Sequence, residues 1–332
     1  MVMPCFNAQE SIMRAIKSIQ NQSITDWELI VVDDGSEDQS ADIVEAIAAD
    51  DSRIRLIKKP HRGVVAASNT GFNASRGSLI ARMDADDVSL PSRLEKQRKS
   101  LAEHSELDAV SCFAHFAGDE ITAGGYAHHV KWTNQQTNSE QIRLNRFIDL
   151  PFPHPTLMYR RELVEKLGGY RDGDFPEDYE MILRWISAGA TIGKVKECLY
   201  NWYDPPHRLS RNDKRYKMNA FHACKAPHLS HAIASQELSD RDLWIWGAGR
   251  PARKCAQALE AAWKPATGFI DIDPRKIGRN IQGRPVVSSL QLPPIKQTII
   301  ASYVGTRGAR EKIRSELLAT GRTEGRDFWL CA

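Results

Sequence analysis

An α/β fold built on a mixed, mostly parallel sheet is what this sequence predicts, and three observations carry the prediction. Short β-branched or apolar runs alternate with helix-length amphipathic stretches from residue 2 to about residue 100. Connections of helix length force consecutive strands into parallel pairs, because a parallel neighbour needs a crossover. Acidic residues then gather where two of the runs end, at Asp33-Asp34 and at Asp84-Ala85-Asp86-Asp87. In open α/β sheets, ligands bind outside the carboxyl ends of the strands.

Taken in order, Val2-Met3 has the character of the last part of a strand. That raises the expectation that the natural start lies upstream of Met1. The stretch 8–22 carries Ile12, Ala15, Ile16 and Ile19 at helical spacing, and 27–32 is a strand running into Asp33-Asp34-Gly35-Ser36, a turn. A helix over 38–49 turns Ile43, Val44 and Ile47 inward, and 53–57 is a short strand. A helix follows from Val64 to Ser75, with Gly77 as its stop. Leu79 to Met83 is the next strand, and three carboxylates crowd its end. Such a cluster repels itself unless a cation or donors lie within it. A metal-assisted site for a phosphate ester is one reading, and a solvated cluster capping the next helix is the other.

Further on, 109–113 reads as a strand and 121–139, rich in Gly, His and Asn, as a loop or lid suited to acceptor contacts. Residues 177–187 form a helix. The stretch 200–211 is a Pro-broken loop, aromatic and basic. A connecting helix spans 216–235, and Pro227 should break or kink it. The first turn, Pro4-Cys5-Phe6-Asn7, has no GxGxxG, so a dinucleotide is not held there in the usual manner.

Several motifs occur in one order: Met3-Pro4-Cys5-Phe6-Asn7, Val31-Val32-Asp33-Asp34-Gly35-Ser36, Asn69-Thr70-Gly71 with Arg76-Gly77, and Asp84-Ala85-Asp86-Asp87. His154-Pro155-Thr156, Lys166-Leu167-Gly168-Gly169-Tyr170 and Pro176-Glu177-Asp178-Tyr179-Glu180 follow them. The series resembles family-2 glycosyltransferases over about the first two thirds of the chain. The resemblance implies a GT-A nucleotide-sugar-binding fold. It also implies a hexosyltransferase-type enzyme moving a sugar from a nucleotide sugar, with a UDP-sugar as the expected donor. The acceptor would be a glycan or lipid-linked molecule in surface polysaccharide or glycoconjugate synthesis.

By the same resemblance, Asp34, with Asp33 behind it, reads the base or ribose, although either could be only a turn former. Pro4, Phe6 and Asn7 border the nucleotide, and Asn69 lies near the donor. Asp84 contacts ribose or metal, and Asp86 ligates Mn2+ or Mg2+, a role hard carboxylates suit. Asp87 is expected to cap the following helix. Ser68 stands where the family often has Arg, which leaves Arg76 or Arg93 as replacement phosphate contacts. Arg208 and Arg211 would either close over the diphosphate or lie in solvent. Asp178 is the expected general base; an acidic helix N-terminus is its structural alternative. One base and a metal-bound leaving group fit a single displacement, hence inversion. His207 would complete the metal site from the late loop or lie at the surface, and His154 is read as structural.

A second domain begins near residue 239. The strand 243–246 runs into Gly247-Ala248-Gly249 and a helix, and the strand 268–273 places Asp271 about 20 residues beyond Gly249, the spacing of the dinucleotide fingerprint. Gly247, Gly249 and Asp271 are a candidate nucleotide site; a module that packs without ligand is the alternative. The remaining length predicts a small Rossmann-like α/β domain of three or four strands. The expected division is 1–215 catalytic, 216–238 a helical linker and 239–332 Rossmann-like. On it rest the rival readings, an NAD-dependent oxidoreductase or a non-catalytic nucleotide-binding protein.

The bulk numbers narrow the classes. The 332 residues suffice for two domains, and no run approaches the ~20 apolar residues that span a bilayer. A net charge of +3 gives no reason to expect nucleic acid. Basic clusters at 93–99, 207–217 and 250–254 suit phosphates or anionic lipid. Met1-Val2-Met3-Pro4 has no signal-peptide character. The six scattered cysteines are read as reduced thiols in a cytoplasmic protein, with a possible peripheral contact at the inner membrane face.

Overall fold

A computed structural model describes residues 1–205, 208–236 and 240–332, without the side chains of 120–122. The chain divides into two compact units. The first comprises Met1–Ile142, Pro151–Gly173 and Arg184–Asp213, and the second Arg143–Leu150, Asp174–Leu183 and Lys214–Ala332.

In the first unit, β1 (Val2–Cys5), β2 (Leu29–Asp33) and β3 (Ile54–Lys58) form a parallel sheet in that order. A mixed sheet holds β4 (Leu79–Ala81), β5 (Val88–Ser89), β6 (Ala109–Phe116), β7 (Met158–Arg160) and β8 (Ile192–Trp202), in the order β4-β7-β6-β8-β5. A parallel bridge between Val2 and Arg82 joins the two sheets through β1. The β2 sequence explains why the sheet is covered on both faces. Alternate side chains point oppositely. Leu29 and Val31 pack with Ile16 and Ile19 of the helix Ile12–Gln20, whereas Ile30 and Val32 pack with Ala67 of the helix Val64–Ala74. That helix ends at Ser75, whose extended backbone stops it before Gly77.

Residues read as a loop or lid form the helix Glu120–Asn134, irregular at Ala123. Ala123 and Val130 are buried, and Tyr126 and Ala127 pack against the same core. This apolar stripe outweighs the weak propensity of Gly124 and Gly125.

The second unit contains a six-stranded sheet, not the three or four strands expected. Its strands are β9 (Asp242–Trp246), β10 (Gly268–Asp271), β11 (Asn280–Ile281), β12 (Arg284–Ser288), β13 (Thr298–Ser302) and β14 (Phe328–Leu330). They lie in the order β11-β12-β10-β9-β13-β14, parallel except for the β11–β12 hairpin. The extra strands are two to five residues long, too short for periodicity to declare them. The helix Met218–Ala234 runs unbroken through Pro227, held by buried Cys224, Leu229 and Ile233. Lys225 is buried there, its Nζ donating to the carbonyls of Phe147, Ile148 and Cys331.

Candidate active site

Three neighbouring strands of the first unit end on one side: β1 at Cys5, β2 at Asp33, and the strand entering Arg82, which bridges to β1. Their shared direction places Phe6-Asn7, Asp33-Asp34 and the acidic turn 84–87 beyond adjacent carboxyl ends, where a parallel sheet opens its ligand crevice.

On the β1–β2 side, Pro4 pairs with Val32 and is half-buried. Asn7 takes a left-handed φ of 47° and its side-chain oxygen accepts from the Glu37 N–H at 2.9 Å. Asp34 is 3% exposed, and its two oxygens accept from the N–H groups of Arg62 and Gly63 at 3.0 and 2.8 Å. Asp33 is buried as well, with Oδ1 unpartnered and Oδ2 accepting from the Ser36 N–H at 3.3 Å. Phe6 is exposed and stacks on the His61 ring at 4.2 Å; His61 Nδ1 lies 2.9 Å from the Asp34 carboxylate. Sequence reading missed His61. Its place just past the end of β3 was the available signal.

Asn69 is fully engaged: its Nδ2 donates to the Tyr170 carbonyl at 2.9 Å and its Oδ1 accepts the Tyr170 N–H at 3.0 Å. A Cβ at Gly169 would stand 2.6 Å from that Oδ1, which is why glycine precedes Tyr170.

In the acidic turn, one oxygen from each of Asp84, Asp86 and Asp87 can lie within 4.8 Å of the others. Burial, and then Asp84, push the Asp86 carboxyl up to about 6. Burial, with Asp86 and Asp84, pushes Asp87 well above the usual carboxylate range. Hard oxygen donors crowded this closely fit a divalent cation of the Mg2+ or Mn2+ type.

Asp87 does not cap a helix. The next helix, Arg93–Glu103, starts after Ser92, while Asp87 is fully buried. It accepts from the Tyr200 hydroxyl at 2.9 Å and the Tyr203 N–H at 2.7 Å. Its loop position suggested a cap, but the end of β8 supplies better donors than a helix terminus would.

Basic groups gather round this turn. Arg82, 5% exposed, holds Asp84 Oδ1 at 2.6 Å. Arg14 donates to the Asp86 carbonyl at 2.7 Å and lies over the Tyr203 ring. Arg208 stacks 3.8 Å over Trp202, and its charge favours ionised Asp86. Arg211 is exposed to solvent, where it pairs with Asp204 and lies over Tyr126. The two arginines expected at a phosphate are elsewhere. Arg93 is wholly buried, bonded to Gln97 and to the carbonyls of Arg82 and Pro155. Arg76 pairs with Glu28 at the amino end of β2, the wrong end for a ligand. His207 lies outside the described residues. His154 is buried and accepts or donates with Tyr170 at 3.0 Å; burial and Arg82 lower it to about 3, so it stays neutral.

Within the second unit, Asp178 opens the helix Glu177–Ser187 and is half-buried, its Oδ1 accepting the Tyr179 N–H at 2.7 Å. Its neighbour Glu177 is committed elsewhere, accepting the Tyr216 hydroxyl at 2.7 Å. Gly247, at φ 117°, and Gly249 form the turn between β9 and the helix Arg250–Ala262. A Cβ on Gly247 would meet that of Ala252 at 2.7 Å, so close packing demands glycine. Asp271 is buried and satisfied: Oδ2 accepts from the Ala248 N–H at 2.9 Å and Lys276 at 3.1 Å, Oδ1 from the Asp273 N–H at 2.9 Å.

Comparison with known proteins adds a family and a fold. The family model described as glycosyl transferase family 2 matches residues 1–168. The uncharacterized glycosyltransferase EpsJ of Bacillus subtilis is 29% identical over 63% of this chain and 62% of its own length. The chain thus spans less than two thirds of that relative. The O-antigen biosynthesis glycosyltransferase WbnJ of Escherichia coli is 27% identical over 68% of this chain and 85% of its own. Among solved structures, residues 1–349 of S. aureus TarS in complex with UDP-GlcNAc align with a TM-score of 0.58 at 16% identity, over 79% of this chain and 70% of that one. The Pyrobaculum calidifontis mannosyltransferase PcManGT with GDP-Man and Mn2+ gives 0.51 at 20% identity, over 78% and 67%. The fold is therefore GT-A.

Proposed function

The chain belongs to glycosyltransferase family 2, and we propose that it is an inverting enzyme of the hexosyltransferase type with a nucleotide-sugar donor. One observation carries this reading. A crowded turn of three carboxylates stands beside Asp33-Asp34 and the stacked Phe6–His61 pair, past the carboxyl ends of adjoining strands.

Phe6 and His61 offer a ring face to the base, bordered by Pro4 and Asn7, and the Asp34 and Asp33 carboxylates read the base or ribose. Asn69 supports the donor side by fixing Tyr170. Asp84 and Asp86 would hold Mn2+ or Mg2+, with Asp84 also within the reach of a ribose hydroxyl in this reading. A bound divalent ion supplies positive charge that stabilises the departing nucleoside diphosphate. Arg208, stacked on Trp202, provides a second positive group for the same oxygens. Asp178 takes the proton from the acceptor hydroxyl as that oxygen bonds to the anomeric carbon, and a single displacement inverts the centre.

TarS with UDP-GlcNAc and PcManGT with GDP-Man and Mn2+ support the donor class and the ion, with a UDP-sugar as the first to try. The name of WbnJ supports a surface-polysaccharide acceptor, either glycan or lipid-linked. No helix among the described residues is long and apolar enough to cross a membrane. A cytoplasmic enzyme visiting a lipid-linked acceptor through a peripheral contact is the corresponding placement. The test is hydrolysis or transfer across a panel of nucleotide sugars by the native chain and by Asp178→Asn. A drop of about 10²–10⁴-fold in the variant is expected for a general base. Equal rates would remove Asp178 from that role, and tight NAD binding with every sugar donor refused would revive the oxidoreductase reading.

A further inference from the structure

We propose that Arg82 is a positioning residue of the metal and donor site, fixing which carboxylate oxygen Asp84 presents to the cation. The proposal rests on the functional reading above and goes beyond it in assigning a buried cation a role.

Arg82 is 5% exposed, and its guanidinium Nη2 bonds Asp84 Oδ1 at 2.6 Å while Nη1 donates to the Met83 carbonyl. Its backbone is held from three sides: it bridges to Val2, its N–H donates to the Leu157 carbonyl at 2.9 Å, and its carbonyl accepts Arg93 Nη2 at 2.8 Å. The guanidinium is therefore mounted on a fixed point of the sheet. Besides Asp84, the titratable and charged groups around it are His154, Tyr159, Tyr170, Tyr200, Asp86 and Arg93. Burial keeps His154, Tyr159 and Tyr200 neutral. Among the described residues, Asp84 is the carboxylate to which Arg82 is bonded.

A buried guanidinium is costly to desolvate, and an apolar chain of similar volume would often serve packing as well. Keeping it makes sense where the charge fixes a partner. The Asp84 side chain is 25% exposed; with Oδ1 held inward, Oδ2 is the oxygen left for a ligand. The same guanidinium offsets repulsion within a turn of three carboxylates whose oxygens approach within 4.8 Å. Small misplacements of such groups weaken a site disproportionately.

The test measures Mn2+ binding by electron paramagnetic resonance in the presence of UDP, in native protein, Arg82→Lys, Arg82→Met, Asp84→Asn and the double variant Arg82→Met/Asp84→Asn. Loss of binding by about tenfold is expected in Arg82→Met, with a smaller loss in Arg82→Lys. In the Asp84→Asn background, Arg82→Met should change binding by less than about twofold, because contacting residues couple and a lost partner ends the coupling. Native affinity in Arg82→Met, or the same fold-loss in both backgrounds, would overturn the proposal. Should Arg82→Met fail to fold by circular dichroism, Arg82→Lys decides by the same two-background comparison. A native chain that holds no Mn2+ with UDP present defeats the functional reading itself, a result distinct from failure of the Arg82 assignment.

Discussion

The acidic turn of the first unit and the glycine turn of the second follow the same local plan, a strand, a tight turn and buried aspartate nearby. They differ in how their charges are satisfied. Asp271 has three donors for its two oxygens, from Ala248, Asp273 and Lys276, and latches its own turn shut. Asp86 is raised to about 6 by burial and by Asp84, and burial holds Asp87 well above the usual carboxylate range although it has two donors. Unspent electrostatic tension marks a site that awaits a ligand; a satisfied carboxylate marks a structural joint. The contrast favours the first turn for the proposed chemistry and leaves the nucleotide reading of Gly247, Gly249 and Asp271 as a proposal without a free acid to carry it.

Breaking the comparison most severely is Asp86→Asn. It should remove metal-dependent turnover, a fall of at least about 10²-fold read in a donor-hydrolysis assay with and without Mn2+. The pH response comes next. Without metal, a carboxyl raised in the folded state contributes stability fully present below about pH 4 and lost as pH rises through about 6. With Mn2+, which requires the carboxylate, stabilisation should instead grow as pH rises through about 6. Melting temperature against pH, with and without Mn2+, reads the two opposite slopes. Tyr200→Phe removes the hydroxyl bonded to buried Asp87 and should lower stability by about 1–3 kcal/mol in urea unfolding. The mildest change is Asp271→Asn. It weakens a charge-assisted latch, costing about 1–2 kcal/mol in the same assay while Mn2+ binding stays at the native level.

Much of this was legible in the sequence, and the residues show why the rest was not. The unbroken apolar, β-branched run of Leu29–Val32 and the stripe in Ile12–Gln20 announce their elements, since a strand covered on both faces is apolar throughout and a helix covered on one carries a stripe. Asp84 and Asp86 declare themselves by crowding. Asp87 misled because its partners, Tyr200 and Tyr203, lie far along the chain, and only tertiary pairing distinguishes a buried anchor from a cap. Arg93 looked like a phosphate ligand because burial of a guanidinium leaves no mark in local sequence. His61 and Arg82 lacked a pattern of their own; both are meaningful through what a parallel sheet brings beside them. The helix Glu120–Asn134 hid behind its glycines, although its apolar stripe was present.

The central claim is that the acidic turn binds a nucleoside diphosphate through a divalent cation, and calorimetric titration of UDP tests it most directly. Native protein should bind UDP with Mn2+ present and lose at least about tenfold in affinity with EDTA, while Asp86→Asn should show the weak binding in both conditions. Equal affinity of the native protein with Mn2+ and with EDTA, or an Asp86→Asn variant that still gains from Mn2+ as the native protein does, would contradict it.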